Sequence, residues 1–166
     1  MIVTYEEIST ILTKIGPELE VDEIAAYEES RTWAVATSDG GWDAVILLHY
    51  DEASRKLFVS GDCGPVPDDK VLSTYEFLLK YNLACIDTGG ARFALDGPGG
   101  DISLIFDLPL ADLEADTLSV TIGNFINLLR TMQAMVICGF GEDPSVQGDV
   151  NVVDGMTDRM QGAIRA

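Results

Sequence analysis

Apolar residues recur at helical spacing in the first stretch of the chain, TYEEISTILTKIG, from Thr4 to Gly16. Thr4 followed three residues later by Glu7 has the spacing of a capping box, which predicts that a helix begins here. Gly16-Pro17 predicts its end, because proline lacks the backbone N–H that a helix interior needs. The stripe predicted to face the core consists of Tyr5, Ile8, Leu12 and Ile15.

Strand-like patterns follow in three segments. Between Ile24 and Thr37 apolar and polar residues alternate, which predicts one strand, exposed or at a sheet edge because charged residues interrupt its apolar face. The run WDAVILLHY, from Trp42 to Tyr50, is apolar on both faces in its middle and predicts a central strand. After a short turn, KLFVSG at residues 56–61 predicts a third strand.

The stretch ARFALDGPGGDISLIFDLPL, Ala91 to Leu110, predicts a β-hairpin. Its two apolar runs are separated by DGPGGD, whose glycines and proline let the chain reverse without strain. Alternation is strict in the second run, as expected for a strand with one buried face. The residues that share this face are Ile102, Leu104, Phe106 and Leu108.

Two further helices are predicted from apolar residues at helical spacing. One runs from Val71 to Leu83, with Asp68 or Asp69 as its cap. The other is a long helix within residues 110–136, LADLEADTLSVTIGNFINLLRTMQAMV. The chain therefore alternates groups of strands with single helices.

Residues 139–166 show no lasting apolar periodicity and are rich in Gly and Asp, so we interpret them as a polar, flexible C-terminal tail. Residues 1–138 are interpreted as one domain, since a chain of 166 residues fits a single core. The order α-βββ-α-ββ-α predicts an α+β fold, a twisted antiparallel sheet of about five strands with three helices against it.

The charge of the chain is strongly negative. Twenty-eight acidic against ten basic residues give a net charge of -18. Nucleic acid and anionic membrane surfaces are disfavoured as partners, because both require clustered Lys and Arg. Three widely separated cysteines and the lack of a leader or a long apolar run favour a cytoplasmic protein without a disulfide framework or membrane insertion.

The residues that carry chemistry in other proteins are sparse. His49 is the only histidine, which excludes a His-rich metal site. Ser-His-Asp or Cys-His catalysis would have to use His49 as its base, and the sequence has no GxSxG motif. No glycine-rich phosphate loop is present, and the many carboxylate pairs are typical of solvated faces. We therefore predict no catalytic residue, metal or cofactor, and favour a binding module over an enzyme.

The segment LLKYNLACIDTGGARFALDGPGGDISLIFDLPLADLEADTLSVTIGNFINLLRTMQ resembles the C-terminal half of class I type III secretion chaperones, the Tir chaperone family. The similar features are a helix ending in LL-x-x-N, a strand closing on ALD, a glycine turn, the strand ISLIFDLPL, and LEADTL before the last helix. The resemblance covers roughly residues 4–136. The tail is longer than the family commonly carries.

The resemblance implies a homodimeric bacterial chaperone of the cytoplasm that serves virulence. It would bind the N-terminal segment of a secreted effector, keep it unfolded and soluble, and deliver it to the type III secretion system, with the secretion ATPase as a further partner. By the same analogy the first helix and nearby sheet form the effector groove, and the second helix and following strand form the dimer interface. The groove residues expected are Ile8, Ile11, Leu12, Ile15, Trp33 and Val35, and the dimer residues are Tyr75, Leu79 and Phe93.

Two other hypotheses stay open at this point. A non-catalytic regulatory or adaptor module of similar α+β fold, related to the YbjN-like sensory group, would bind a folded partner instead of an extended segment. A small enzyme with an acidic site would need a buried carboxylate pair or a metal in a cleft.

Overall fold

The computed structural model describes residues 3–84, 89–97 and 100–138. It confirms the predicted α+β class, with a six-stranded antiparallel sheet and three α-helices. The elements are α1 (Tyr5–Ile15), β1 (Glu23–Tyr27), β2 (Thr32–Asp39), β3 (Trp42–Asp51), β4 (Lys56–Gly64), α2 (Val71–Leu83), β5 (Arg92–Leu95), β6 (Ile102–Pro109) and α3 (Ala115–Cys138).

The strands follow the order β1-β2-β3-β4-β6-β5 across the sheet. The segment predicted as one strand from Ile24 to Thr37 is two strands, β1 and β2, joined by a tight turn. In that turn the backbone N–H of Arg31 donates to the carbonyl of Glu28, and Arg31 has a φ of 50°. The charged residues that interrupted the apolar pattern therefore belong to a turn, which accounts for the sixth strand.

The predicted hairpin is confirmed. β5 pairs with β6 through the register Phe93↔Leu104, and β6 also pairs with β4. The face of β6 predicted from alternation is the buried one, with Ile102, Leu104, Phe106 and Leu108 in the core. Alternation was a sufficient signal here because a strand with one covered face must place every second residue inside.

The capping box at the start of α1 is confirmed. Thr4 Oγ1 accepts the backbone N–H of Glu7 at 3.3 Å, and Glu7 Oε2 accepts the backbone N–H of Thr4 at 2.8 Å. The predicted cap of α2 is wrong, because Asp68 and Asp69 lie in a separate 3-10 turn closed by a bond from the Lys70 N–H to the Pro67 carbonyl. α2 itself runs from Val71 to Leu83, as predicted, and no side-chain hydrogen bond caps its first turn.

The described helices all pack on one face of the sheet, which we call the inner face. α1 meets it where Tyr5 stacks on Trp33, α2 where Tyr81 contacts Phe93, and α3 where Leu129 approaches Gly61. β3 lies third among the six strands, which confirms the predicted central strand, and its buried residues all lie on the inner face. Its other face belongs to the outer face of the sheet, which no described helix covers.

Packing of α3 against β4 depends on a glycine. A Cβ added at Gly61 would lie 2.5 Å from Leu129 Cδ2, and Leu129 is fully buried. We expect Gly61→Ala to lower the free energy of unfolding by about 1–3 kcal/mol, the usual range for overpacking a core. Urea denaturation measures this difference.

Gly123→Ala is the matched control, since a Cβ at Gly123 in α3 meets nothing within 4 Å. This control should be neutral or stabilising by up to ~1 kcal/mol, because alanine favours a helix interior over glycine. Equal stability of Gly61→Ala and wild type would show that α3 does not pack as closely on β4 as described.

Residues 139–166, predicted as a tail, lie outside the described residues, and so does Cys85. Among the described helices, none has the length and apolar character needed to cross a membrane. Cys63 and Cys138 are both free thiols.

Candidate functional site

A cleft of about 350 Å³, here named the Trp33 cleft, opens between α1 and the edge strand β1. It forms because the chain leaves α1 through a 3-10 turn at Gly16–Glu18 and returns along the sheet edge. Its walls combine apolar and acidic residues. They are Ser9, Leu12, Thr13, Gly16, Pro17, Val21, Asp22, Glu23, Ile24, Ala26 and Trp33.

Trp33 forms the fixed inner wall of this cleft. Its indole Nε1–H donates to Ser9 Oγ at 3.2 Å, and the ring of Tyr5 stacks on it with centroids 4.5 Å apart. Only 1% of Trp33 is exposed. The tryptophan therefore holds α1 against β2 while one side borders the cleft.

The residues predicted to bind an effector fall into two groups. Ile11 is half-buried at the margin of the core, consistent with its place beside the core stripe of α1. The other five are buried in the core, and of these only Leu12 and Trp33 also line the Trp33 cleft. The buried five are Ile8, Leu12, Ile15, Trp33 and Val35.

The cleft adjoins a free sheet edge. β1 is the first strand in the sheet order, and among the described strands it pairs only with β2. Its second side therefore presents backbone N–H and C=O groups to a further extended chain. Val21, Asp22 and Ile24, which sequence reasoning did not single out, lie where this edge meets the cleft.

An apolar stripe runs along the exposed side of α2. Leu72, Leu79 and Leu83 are 82%, 69% and 87% exposed. Their spacing of seven and four residues places them on one helix face. We call these three leucines the α2 stripe. Leu79 was predicted for the dimer interface, but Leu72 and Leu83 were not. Because α2 is apolar on most of its circumference, its pattern does not show which side stays exposed.

The two other residues predicted for a dimer interface are less exposed than the α2 stripe. Phe93 is buried beneath α2, where its ring contacts Tyr81 edge-on with centroids 5.0 Å apart. Asn82 fixes this strand by donating to the Phe93 carbonyl and accepting the Phe93 N–H, at 2.9 and 2.8 Å. Tyr75 is half-buried against the core. In the single chain, Phe93 is therefore a core residue that packs between the sheet and α2.

The outer face of the sheet exposes apolar side chains from β3. Val45 and Leu47 are 53% and 44% exposed, and the register places Ala36 and Ala34 beside them on β2. Further along β3, His49 stacks on Phe58, and its Nδ1 lies 3.2 Å from Thr32 Oγ1. His49 thus has a structural place on the sheet surface.

At the end of the sheet that carries Trp42, a second cleft, of about 660 Å³, opens between α3 and the sheet; we call it the Trp42 cleft. Gln133 ties its walls together, accepting the indole N–H of Trp42 at 2.5 Å and donating to the Asp62 carbonyl at 2.7 Å. The lining residues are Gly41, Trp42, Asp43, Ala44, Val45, Asp62, Cys63, Gly64, Pro65, Arg130, Gln133, Ala134 and Ile137.

The opposite end of the outer face carries a compact ion cluster. Asp107 accepts Lys56 at 3.0 Å and Arg92 at 2.7 Å. Partial burial tends to raise the pKa of this carboxyl, but the two cations outweigh it and the pKa is lowered. The cluster holds two cations against one carboxylate, so this end of the outer face is not acidic.

The described residues include few groups that could react with a substrate or bind a metal. Burial raises the pKa of the Cys63 thiol to about 12, which keeps it protonated and unreactive at neutral pH. Within residues 3–84, 89–97 and 100–138, no three His, Cys, Asp or Glu side chains are grouped to hold a metal ion. The described surfaces offer apolar contact, sheet edges and negative charge.

Both the sequence and the fold are similar to those of known proteins. The profile of the Tir chaperone protein (CesT) family matches residues 10–133, which confirms the predicted resemblance. A chain in the crystal structure of the ExsC-ExsE complex aligns with a TM-score of 0.63 and 14% identity, covering 81% of this chain and 96% of that chain. A chain in the structure of the HopA1-SchA chaperone-effector complex gives 0.59 and 18%, covering 77% and 94%. No curated protein matches the sequence.

Proposed function

Because the chain belongs to the Tir chaperone protein (CesT) family, we propose that it is a type III secretion chaperone, which binds the N-terminal segment of a secreted effector. It keeps that segment unfolded and soluble and delivers it to the secretion system. The family match over residues 10–133 is the observation that carries this proposal. The same match separates it from a regulatory module that binds a folded partner.

The Trp33 cleft and the free edge of β1 support the binding of an extended chain. An unfolded segment exposes apolar side chains, and their transfer into a cleft yields ~25 cal/mol for each Å² removed from water. The edge of β1 offers hydrogen bonds to the segment's backbone whatever its sequence. An apolar cleft beside a strand edge can therefore bind an unfolded segment in an extended conformation.

The α2 stripe supports a homodimer. Three leucines with more than two thirds of their surface exposed are costly to leave in water, and a second copy of α2 covers them symmetrically. A dimer also presents two Trp33 clefts to one client, so a segment that reaches both gains from effective concentration.

The proposal places the dimer in the bacterial cytoplasm, handing its client to the secretion ATPase, and assigns it no catalytic step. The acidic surface supports this role, because a net charge of -18 keeps a chaperone with exposed leucines soluble. The protein needs no nucleotide of its own, since covering a client's apolar surface is driven by burial alone.

The function is tested with the N-terminal segments of secreted proteins encoded beside this chain. We expect one of them to aggregate alone, measured by light scattering, and to stay soluble and bound at equimolar chaperone. Val21→Asp, which places a charge at the wall of the Trp33 cleft, should weaken that binding by about tenfold or more, because a charge desolvated without a partner is costly.

Val120→Asp is the matched control, since Val120 is exposed on α3 away from the Trp33 cleft. It should bind the client as wild type does. If no secreted segment is solubilised, the chaperone proposal is wrong; if Val120→Asp weakens binding as much as Val21→Asp, the cleft is not the site.

A further inference from the structure

The Trp42 cleft combines an apolar floor with a negative rim. Val45, Ala134 and Ile137 are exposed apolar residues in its wall, from β3 and from the last turns of α3. Asp43 and Asp62 lie at the same cleft. Exposing these apolar side chains to water costs free energy, and such a surface with a polar rim is typical of a binding site.

The charges at the cleft do not balance. Arg130 is the only cation among the lining residues. Its Nη1 donates to Asp39 Oδ2 at 2.6 Å, and its Cζ lies over the Trp42 ring, 5.3 Å from the ring centroid. Asp43 and Asp62 form none of the ion pairs found in the described chain. The cleft therefore favours an occupant that supplies positive charge.

Two segments with this chain's own sequence could occupy the Trp42 cleft, and the charge of both fits it poorly. A second copy of the chain has ten basic against twenty-eight acidic residues and so supplies few cations to pair with the carboxylates of this cleft. Residues 139–166 follow directly after α3 but hold five acidic residues, Glu142, Asp143, Asp149, Asp154 and Asp158, against two arginines. Charge complementarity selects a segment of another protein.

We propose that the Trp42 cleft is a second client-binding site, which takes a segment where apolar side chains alternate with Lys or Arg. This inference rests on the proposed chaperone function and specifies the chemistry of the client. Apolar side chains of the segment cover Val45 and Ile137, and its cations lie against Asp43 and Asp62. The Trp33 cleft and this cleft share no lining residue, so they are tested separately.

Three labelled peptides of equal length and identical leucine positions serve as probes, with lysine, glutamine or glutamate at the remaining positions. Fluorescence anisotropy measures their binding to the full chain. The lysine peptide should bind about tenfold more tightly than the glutamine peptide, and the glutamate peptide most weakly, because surface charge pairs contribute up to ~1 kcal/mol each. Added salt should reduce the advantage of lysine.

Variants of the chain locate the site. Asp43→Lys should weaken binding of the lysine peptide by about tenfold, because it replaces attraction with repulsion. Glu29→Lys makes the same change in net charge in the β1–β2 turn, roughly 20 Å away along β2, and should have less than about a twofold effect. Val45→Ser should weaken all three peptides, whereas Val120→Ser should weaken none.

The outcomes distinguish this inference from the chaperone function. Equal losses with Asp43→Lys and Glu29→Lys would overturn it, since binding would follow net charge alone. A large gain in peptide affinity after removal of residues 139–166 would identify the tail as occupant and overturn it as well. If an effector segment is still solubilised in either case, the chaperone function stands without this second site.

Discussion

Replacing Leu79 and Leu83 with aspartate is expected to convert a dimer, with twice the 17.9 kDa mass of one chain, into a monomer. Both leucines lie in the α2 stripe and are exposed in the single chain. Burial of a leucine contributes roughly 1.5–3 kcal/mol, and two copies bury four of these leucines. Their loss should therefore raise the dissociation constant by at least about ten-thousandfold.

The aspartates add a second penalty, because a carboxylate enclosed in an apolar interface without a cation is strongly disfavoured. Light scattering coupled to size exclusion measures the mass directly. Circular dichroism should show unchanged helix content, since neither side chain contributes to the core. Val120→Asp on α3 is the matched control and should remain dimeric. A Leu79→Asp/Leu83→Asp variant that still elutes as a dimer would rule out the α2 stripe as the interface.

Trp33→Ala is expected to lower the free energy of unfolding by about 3–5 kcal/mol, the usual cost of removing a large aromatic side chain from a core. Trp33 is among the largest fully buried side chains, and its removal also deprives Tyr5 of its stacking partner and Ser9 of a hydrogen bond. Since domains are stable by only ~5–15 kcal/mol, this is a large fraction of the total. Urea denaturation gives the difference.

This experiment also separates two roles for Trp33. As a core residue its loss reduces stability; as a surface groove residue its loss would reduce effector binding while stability stayed near wild type. Trp33→Phe retains an aromatic ring but cannot donate to Ser9, so its cost should be smaller than that of Trp33→Ala. A stability change below about 1 kcal/mol for Trp33→Ala would contradict the packing described for α1 on β2.

Much of the fold follows from local signals. α1 was predictable because its start depends on Thr4 and Glu7, which are three residues apart, and its end on Gly16. β6 was predictable because strict alternation leaves one choice of buried face. The division between β1 and β2 was missed, since polar residues in EESR are compatible both with an exposed strand and with a turn.

The candidate sites were less accessible from sequence. The apolar stripe of α1 was identified, but stripe position alone does not distinguish a core residue from a groove residue, and most of that stripe proved to be core. Ile11 stands out only because it lies beside the stripe. The Trp42 cleft had no sequence signal, because β3 and α3 contribute to it from positions about 90 residues apart.

From the sequence alone came the three helices, five strands with β1 and β2 counted as one, the α+β class, the acidity and the family. Capping, alternation and turn chemistry act between residues close in the chain, and charge is a simple sum. Only the tertiary structure decided which apolar residues remain outside. β3 is apolar on both faces, and the packing of the described helices on one face alone exposes Val45 and Leu47. α2 is apolar around most of its circumference, and contact with Phe93 buries one side and leaves Leu72, Leu79 and Leu83 exposed.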